Sequence, residues 1–85
     1  MGKEEIMNRI KDKSLEYYKS GTGRIKVHIS KIDYPSDKPY NTSCGIFING
    51  KLKDVYILEN ICNDEIDEFL YSLGELKSRN TLFLI

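Results

Sequence analysis

Apolar positions along this chain follow first a helical and then an alternating rhythm, and the changes of rhythm mark its elements. In GKEEIMNRIKDKSLEYYKSGTG, Ile6, Met7, Ile10, Ser14, Tyr17 and Tyr18 fall in one stripe at helical spacing, with the charges mostly opposite. That predicts an opening helix, stopped by Gly21 and Gly23. A phosphate cradle precedes a helix and uses its N-terminus, whereas this glycine pair follows one, so GTG is read as a stop.

RIKVHISKIDY then alternates with Ile25, Val27 and Ile29 on one face. The apolar set shifts phase to Ile32 and Tyr34, which predicts a bulge near Ser30 or Lys31. His28 lies on the opposite face, between Lys26 and Ser30, as a solvated strand residue. PSDKPYN reads as a loop, because Pro35 and Pro39 lack ladder donors.

TSCGIFINGKLKDVYIL reads as two strands about Asn49-Gly50, a hairpin signal. A two-residue turn pairs Ile48 with Lys51 and Ile46 with Lys53, mixing charge into the apolar face. A four-residue loop pairs Ile46 with Val55 and Cys44 with Ile57, keeping that face apolar, and is therefore the expected register. Cys44, Ile46, Ile48, Val55 and Ile57 then face the helices. Phe47 and Tyr56, with Leu58 as a further candidate, face the other way.

Ile66, Phe69, Leu70 and Leu73 form a second helical stripe, with Gly74 as its natural end. NTLFLI is apolar enough that it must join a sheet or a partner, and is read as a last strand. The order predicts one α+β domain over residues 1–85: helix, three-stranded antiparallel meander, helix and C-terminal strand, with the helices mainly on one face.

Composition narrows the function. Eighty-five residues leave little room for a deep substrate cavity beside a core. Thirteen basic and thirteen acidic residues cancel, so no global field draws the chain to nucleic acid or an anionic membrane. Residues 1–43 hold nine Lys/Arg against six Asp/Glu, and residues 44–85 hold four against seven, a mild dipole that ordinary solvated faces also explain. Cys44, Cys62 and His28 would leave a zinc site one ligand short, so reduced thiols are expected, with no metal and no cofactor. MGKEEIMNRIKDK has no apolar leader region and no run approaches a membrane span. The expected compartment is the cytoplasm of a bacterium or of a phage-infected host. Rich Lys, Ile, Asn and Glu usage suggests an AT-rich genome.

Two features stand out as candidate sites. Asp64, Glu65, Asp67 and Glu68 crowd the start of the second helix. There Asn63 or Asp64 is a good N-cap, and acids gain about 0.3–1 kcal/mol each from the helix dipole. The spacing does not suit an EF-hand, which needs alternate oxygens and a central glycine. Paired carboxylates for hydrolysis would need a cleft that nothing indicates. The same cluster, with Asp54 and Glu59 nearby, can also meet a basic surface on another protein, and the two readings are compatible. The second feature is the outer hairpin face, where Phe47 and Tyr56 are expected to be exposed and rimmed by charge, as interfaces are, unless the 35–42 loop covers them.

The order helix, three strands, helix resembles the double-stranded RNA-binding domain. That family places a Lys-rich turn at the start of its second helix. NDEIDEF occupies that place here and would repel phosphates, so RNA binding through it is not expected. The layout of GKEEIMNRIKDK, the strands from Arg24 to Leu58, and NDEIDEF also resembles the small phage-encoded inhibitors, including anti-CRISPR proteins. This likeness is one of layout and assigns no residue roles. It implies a stand-alone domain without catalytic residues that blocks a host nuclease or other defence component by occupying its surface.

The expected function is therefore non-enzymatic binding of another protein, through Asp64, Glu65, Asp67, Glu68, Phe47 and Tyr56. One alternative is a nucleic-acid-binding or regulatory module using Lys11, Arg24, Lys26 and Lys31, against which the neutral net charge counts. Another is a homodimer whose sheets pair through the outer face or through TLFLI. No nucleophile, base and oxyanion donors can be assembled into an enzyme.

Overall fold

The first helix, α1 (Lys3–Ser20), forms where the apolar stripe predicts it. Gly21 closes it in the left-handed region at φ 66°, donating its N–H to the Tyr18 carbonyl at 3.2 Å. Ile10 and Ser14 are fully buried, and the Ser14 hydroxyl is satisfied by the Ile10 carbonyl at 2.8 Å. The structure, a computed structural model, describes residues 2–21, 23–33, 37–77 and 82–84.

Strand β1 (Ile25–Ile29) buries Ile25, Val27 and Ile29, as alternation requires. It ends there, so the expected bulge near Ser30 or Lys31 does not form, and Tyr34 lies outside the described residues. After Ile29 the chain is drawn toward the second helix instead. Lys31 pairs with Asp67 at 2.6 Å, and the Ile32 carbonyl accepts Asn63 Nδ2 at 3.5 Å. The following loop is shorter than expected, because strand β2 (Tyr40–Ile48) already begins at Tyr40.

β2 runs antiparallel to β1 and to β3 (Lys51–Ile61), giving the predicted meander. Helix α2 (Asn63–Lys77) follows and continues through Gly74 rather than stopping at it. Segment β4 (Leu82–Leu84) lies parallel beside β1, in the sheet order β3-β2-β1-β4. Ile10 from α1 and Ile66, Phe69 and Leu73 from α2 share one core with the sheet, so both helices pack on the same face. The molecule is an α+β fold of helix, three antiparallel strands and helix.

The hairpin departs from expectation. Asn49 and Gly50 form a two-residue turn with φ 51° and 82°, a geometry that suits the strands' twist, and Ile48 pairs with Lys51 and Phe47 with Leu52. The next pair is Ile46 with Asp54, so Lys53 is an extra residue that the ladder skips. The bulge takes Lys53 out of its place opposite Ile46 and sets Asp54 there instead, where the carboxylate accepts the Tyr17 hydroxyl, and no four-residue loop is needed. From there the phase is reversed: Gly45 pairs with Val55, Cys44 with Tyr56 and Thr42 with Leu58. Tyr56 and Leu58 consequently face the helices, and Val55 and Ile57 do not.

A second irregularity returns Ile61 to the core. Asn60 takes φ 56°, a conformation that asparagine tolerates better than most residues. Its N–H donates to Asn41 Oδ1 at 3.0 Å, and its carbonyl accepts Lys3 Nζ at 2.8 Å. Both of its backbone groups are therefore satisfied.

Candidate functional site

Helix α2 begins with Cys62, and neither Asn63 nor Asp64, in the capping position. The Cys62 carbonyl accepts the Ile66 N–H at 3.1 Å, and its own N–H donates to Glu65 Oε1 at 3.1 Å. Glu65 is thus the returning arm of a capping box. Lys3 binds the same carboxylate at 2.8 Å, and these contacts, Lys3 foremost, hold the Glu65 carboxyl below its ordinary range. Asp67 is engaged by Lys31, and that hydrogen bond raises the Lys31 ammonium pKa. Asn63 accepts the Tyr40 hydroxyl.

Two of the four clustered acids are therefore internal ties. Asp64 and Glu68 remain exposed. Glu68 and Glu4 border an open cleft of about 370 Å³ between the helices, lined also by Met7 and Phe69.

The outer sheet face is the second candidate surface. Leu52, Val55 and Ile57 are 52%, 56% and 54% exposed. Phe47 is half-buried, lying with Leu52 across Gly45, where an added Cβ would come within 3.0 Å of the Phe47 ring and 3.1 Å of the Leu52 side chain. A glycine at this position lets the two side chains lie down along the sheet. Lys26 sits over the Phe47 ring, 5.8 Å from its centroid. His28, opposite Gly45, continues the polar border, with its Nε2 3.4 Å from Ser30 Oγ.

Tyr56, expected on this face, is on the other. It pairs with Cys44 and packs against the core, and burial raises its phenol pKa. The bulge at Lys53 is the reason, since one skipped residue exchanges the faces of everything after it. Val55 and Ile57 were missed for the same reason, and Leu52 because the expected four-residue loop placed it in the turn, not opposite Phe47. The available signal was a lysine standing where a tight Asn-Gly hairpin would otherwise pair it with Ile46.

The acids and Phe47 do not form one footprint. α2 belongs to the helix layer, and Phe47 points to the opposite side of the sheet. Asn63 is held by Tyr40, and Phe47 lies seven residues farther along β2, roughly 23 Å at strand rise. The basic residues are likewise dispersed. Lys11 belongs to α1, Lys26 to the outer face, and Lys31 to an ion pair.

Cys44 and Cys62 are both free thiols. Burial pushes the Cys44 thiol up to about 12, while half-buried Cys62 donates to the Asp37 carbonyl at 3.4 Å. Among the described residues no group of three His, Cys, Asp or Glu side chains is placed to hold a metal, and no helix is long and apolar enough to cross a membrane. Comparison with family models, with curated proteins and with solved structures returned no match.

Proposed function

We propose that this protein works by binding, receiving a partner protein on its outer sheet face, and that it is a phage or mobile-element inhibitor covering a surface of a host nuclease or other defence component. The observation that carries the binding reading is the grouping of Leu52, Val55 and Ile57 with Phe47 on the side of the sheet opposite both helices. Burying an aliphatic side chain fully gains about 1.5–3 kcal/mol, and these three are already about half covered, so a partner gains roughly 1 kcal/mol from each. Such a surface supplies an apolar centre, and Lys26 and His28 supply a polar border. Asp64 and Glu68 form a separate patch on the helix layer, suited to steering a basic partner. The inhibitor class rests on the likeness of layout to small phage-encoded inhibitors.

The test is affinity capture from a low-GC bacterial lysate with tagged wild-type protein and with Phe47→Lys, read by mass spectrometry, with circular dichroism to confirm that the variant folds. One host nuclease or defence protein retained by wild type and lost from Phe47→Lys supports the proposal. An empty capture, or retention unchanged by the substitution, overturns it.

A further inference from the structure

β3 stands at an edge of the sheet, with β2 beside it in the order β3-β2-β1-β4. Between the skipped Lys53 and the left-handed Asn60 its ladder is unbroken from Asp54 to Leu58, so Tyr56 is the midpoint of the regular stretch. The far side of that stretch presents backbone donors and acceptors as a template for another strand. Monomeric proteins guard such edges with proline, with bulges or with charges that repel an incoming strand. Here the two bulges lie at the ends of the stretch, and it contains no proline. Its exposed flanking charges are opposite in sign, Lys53 at one end and Glu59 at the other.

The exposed positions of this strand, 53, 55, 57 and 59, are complementary to themselves. Antiparallel pairing about Tyr56 sets Lys53 opposite Glu59 of a second copy, and Glu59 opposite that copy's Lys53. It also sets Val55 opposite Ile57 in both directions, and both side chains are more than half exposed on the outer face. Neighbouring registers of the same facing lose this match. Centred on Val55, Lys53 would stand opposite Ile57. Centred on Ile57, Val55 would stand opposite Glu59. Parallel in-register pairing would set lysine against lysine. We infer that two copies of this chain join through β3 into a two-fold symmetric dimer with one continuous sheet, each Lys53–Glu59 pair closing one end of the seam. Phe47, Asp64 and Glu68 take no part in it, whereas Val55 and Ile57 border the seam and also belong to the proposed partner face, so Phe47→Lys is the substitution that separates the two readings.

Sedimentation equilibrium over a range of concentrations tests it directly. Wild type is expected to show a monomer–dimer equilibrium. Lys53→Glu and Glu59→Lys each replace two attractions with two repulsions per dimer and should raise the dimer Kd about tenfold or more. Mixing these two variants restores attraction at both ends, so the mixture should form a heterodimer with at least wild-type affinity. The double variant Lys53→Glu/Glu59→Lys should likewise return to the wild-type Kd, and Phe47→Lys should leave it unchanged. A wild type that is monomeric at every attainable concentration overturns the inference. So does a dimer whose Kd is indifferent to both single reversals, since its contact then lies elsewhere.

Discussion

The Tyr17 phenol donates to Asp54 Oδ2 at 2.5 Å, and Asp54 is the first residue of β3 after the bulged Lys53. One hydrogen bond therefore joins α1 to the edge strand at the point where the strand changes phase. Were β3 to slip by a residue, the carboxylate would turn to the outer face and Tyr17 would lose it. The bond also raises the Tyr17 pKa to about 12, because ionising the phenol would remove the donor and set two negative charges together.

Tyr17→Phe should lower stability by about 1–2 kcal/mol, a part-exposed bond to a charged acceptor, measured by urea denaturation. Because the folded pKa lies above the unfolded one, this stabilisation is fully present below about pH 10 and is lost as pH rises through about 12. In a tyrosinate absorbance titration, Tyr17→Phe should delete a late-titrating phenol.

Glu65→Ala should cost about 1 kcal/mol by removing the arm of the capping box. The Glu65 carboxyl is lowered in the folded state, so its contribution is present above the unfolded pKa and lost as pH falls through the folded one. A carboxyl titration followed by NMR should find its midpoint below that of a free glutamate, and Lys3→Ala should move it back up.

Asp64→Lys/Glu68→Lys should behave differently from Glu65→Ala. Neither acid makes the capping or Lys3 contacts, so stability should change by less than about 1 kcal/mol per site. Affinity for a basic partner should fall, and its dependence on salt should flatten. Unchanged affinity would remove the acidic patch from the binding surface while leaving the sheet face as it stands.

Gly23→Ala should destabilise the protein by about 1–3 kcal/mol or more in urea denaturation. Gly23 holds φ 131°, and an added Cβ would lie 2.5–2.8 Å from the Asn49 side chain, whose Oδ1 accepts the Arg24 N–H. This contact braces the hairpin tip against the start of β1, so part of the loss should be relieved in an Asn49→Ala background.

Thiol alkylation should separate the two cysteines. Cys44 is buried with its thiol pushed up to about 12, and should react only after unfolding. Cys62 should be modified first in the native protein, as peptide mass mapping would record.

Local chemistry made much of this fold legible from the sequence. The stripe through Ile10 and Ser14, the alternation at Ile25, Val27 and Ile29, the glycine at 21 and the turn at Asn49-Gly50 each depend on neighbours within a few residues. Periodicity and turn preference act at that range. The α+β order followed from them.

The candidate site did not follow from local rules, because it depends on phase. Whether Val55 or Tyr56 meets the helices is decided by one skipped residue at Lys53. The alternatives differ only in which long-range contacts they allow: Asp54 reaching Tyr17, and Tyr56 and Leu58 filling the space beneath α1. Likewise, four clustered acids look alike in sequence until Lys3 and Lys31, brought in from other elements, claim two of them. The sequence by itself determined which segments are helix or strand, since those propensities are local. Only the tertiary structure decided which side chains were left outside, since a sheet's two faces are distinguished solely by what packs against them.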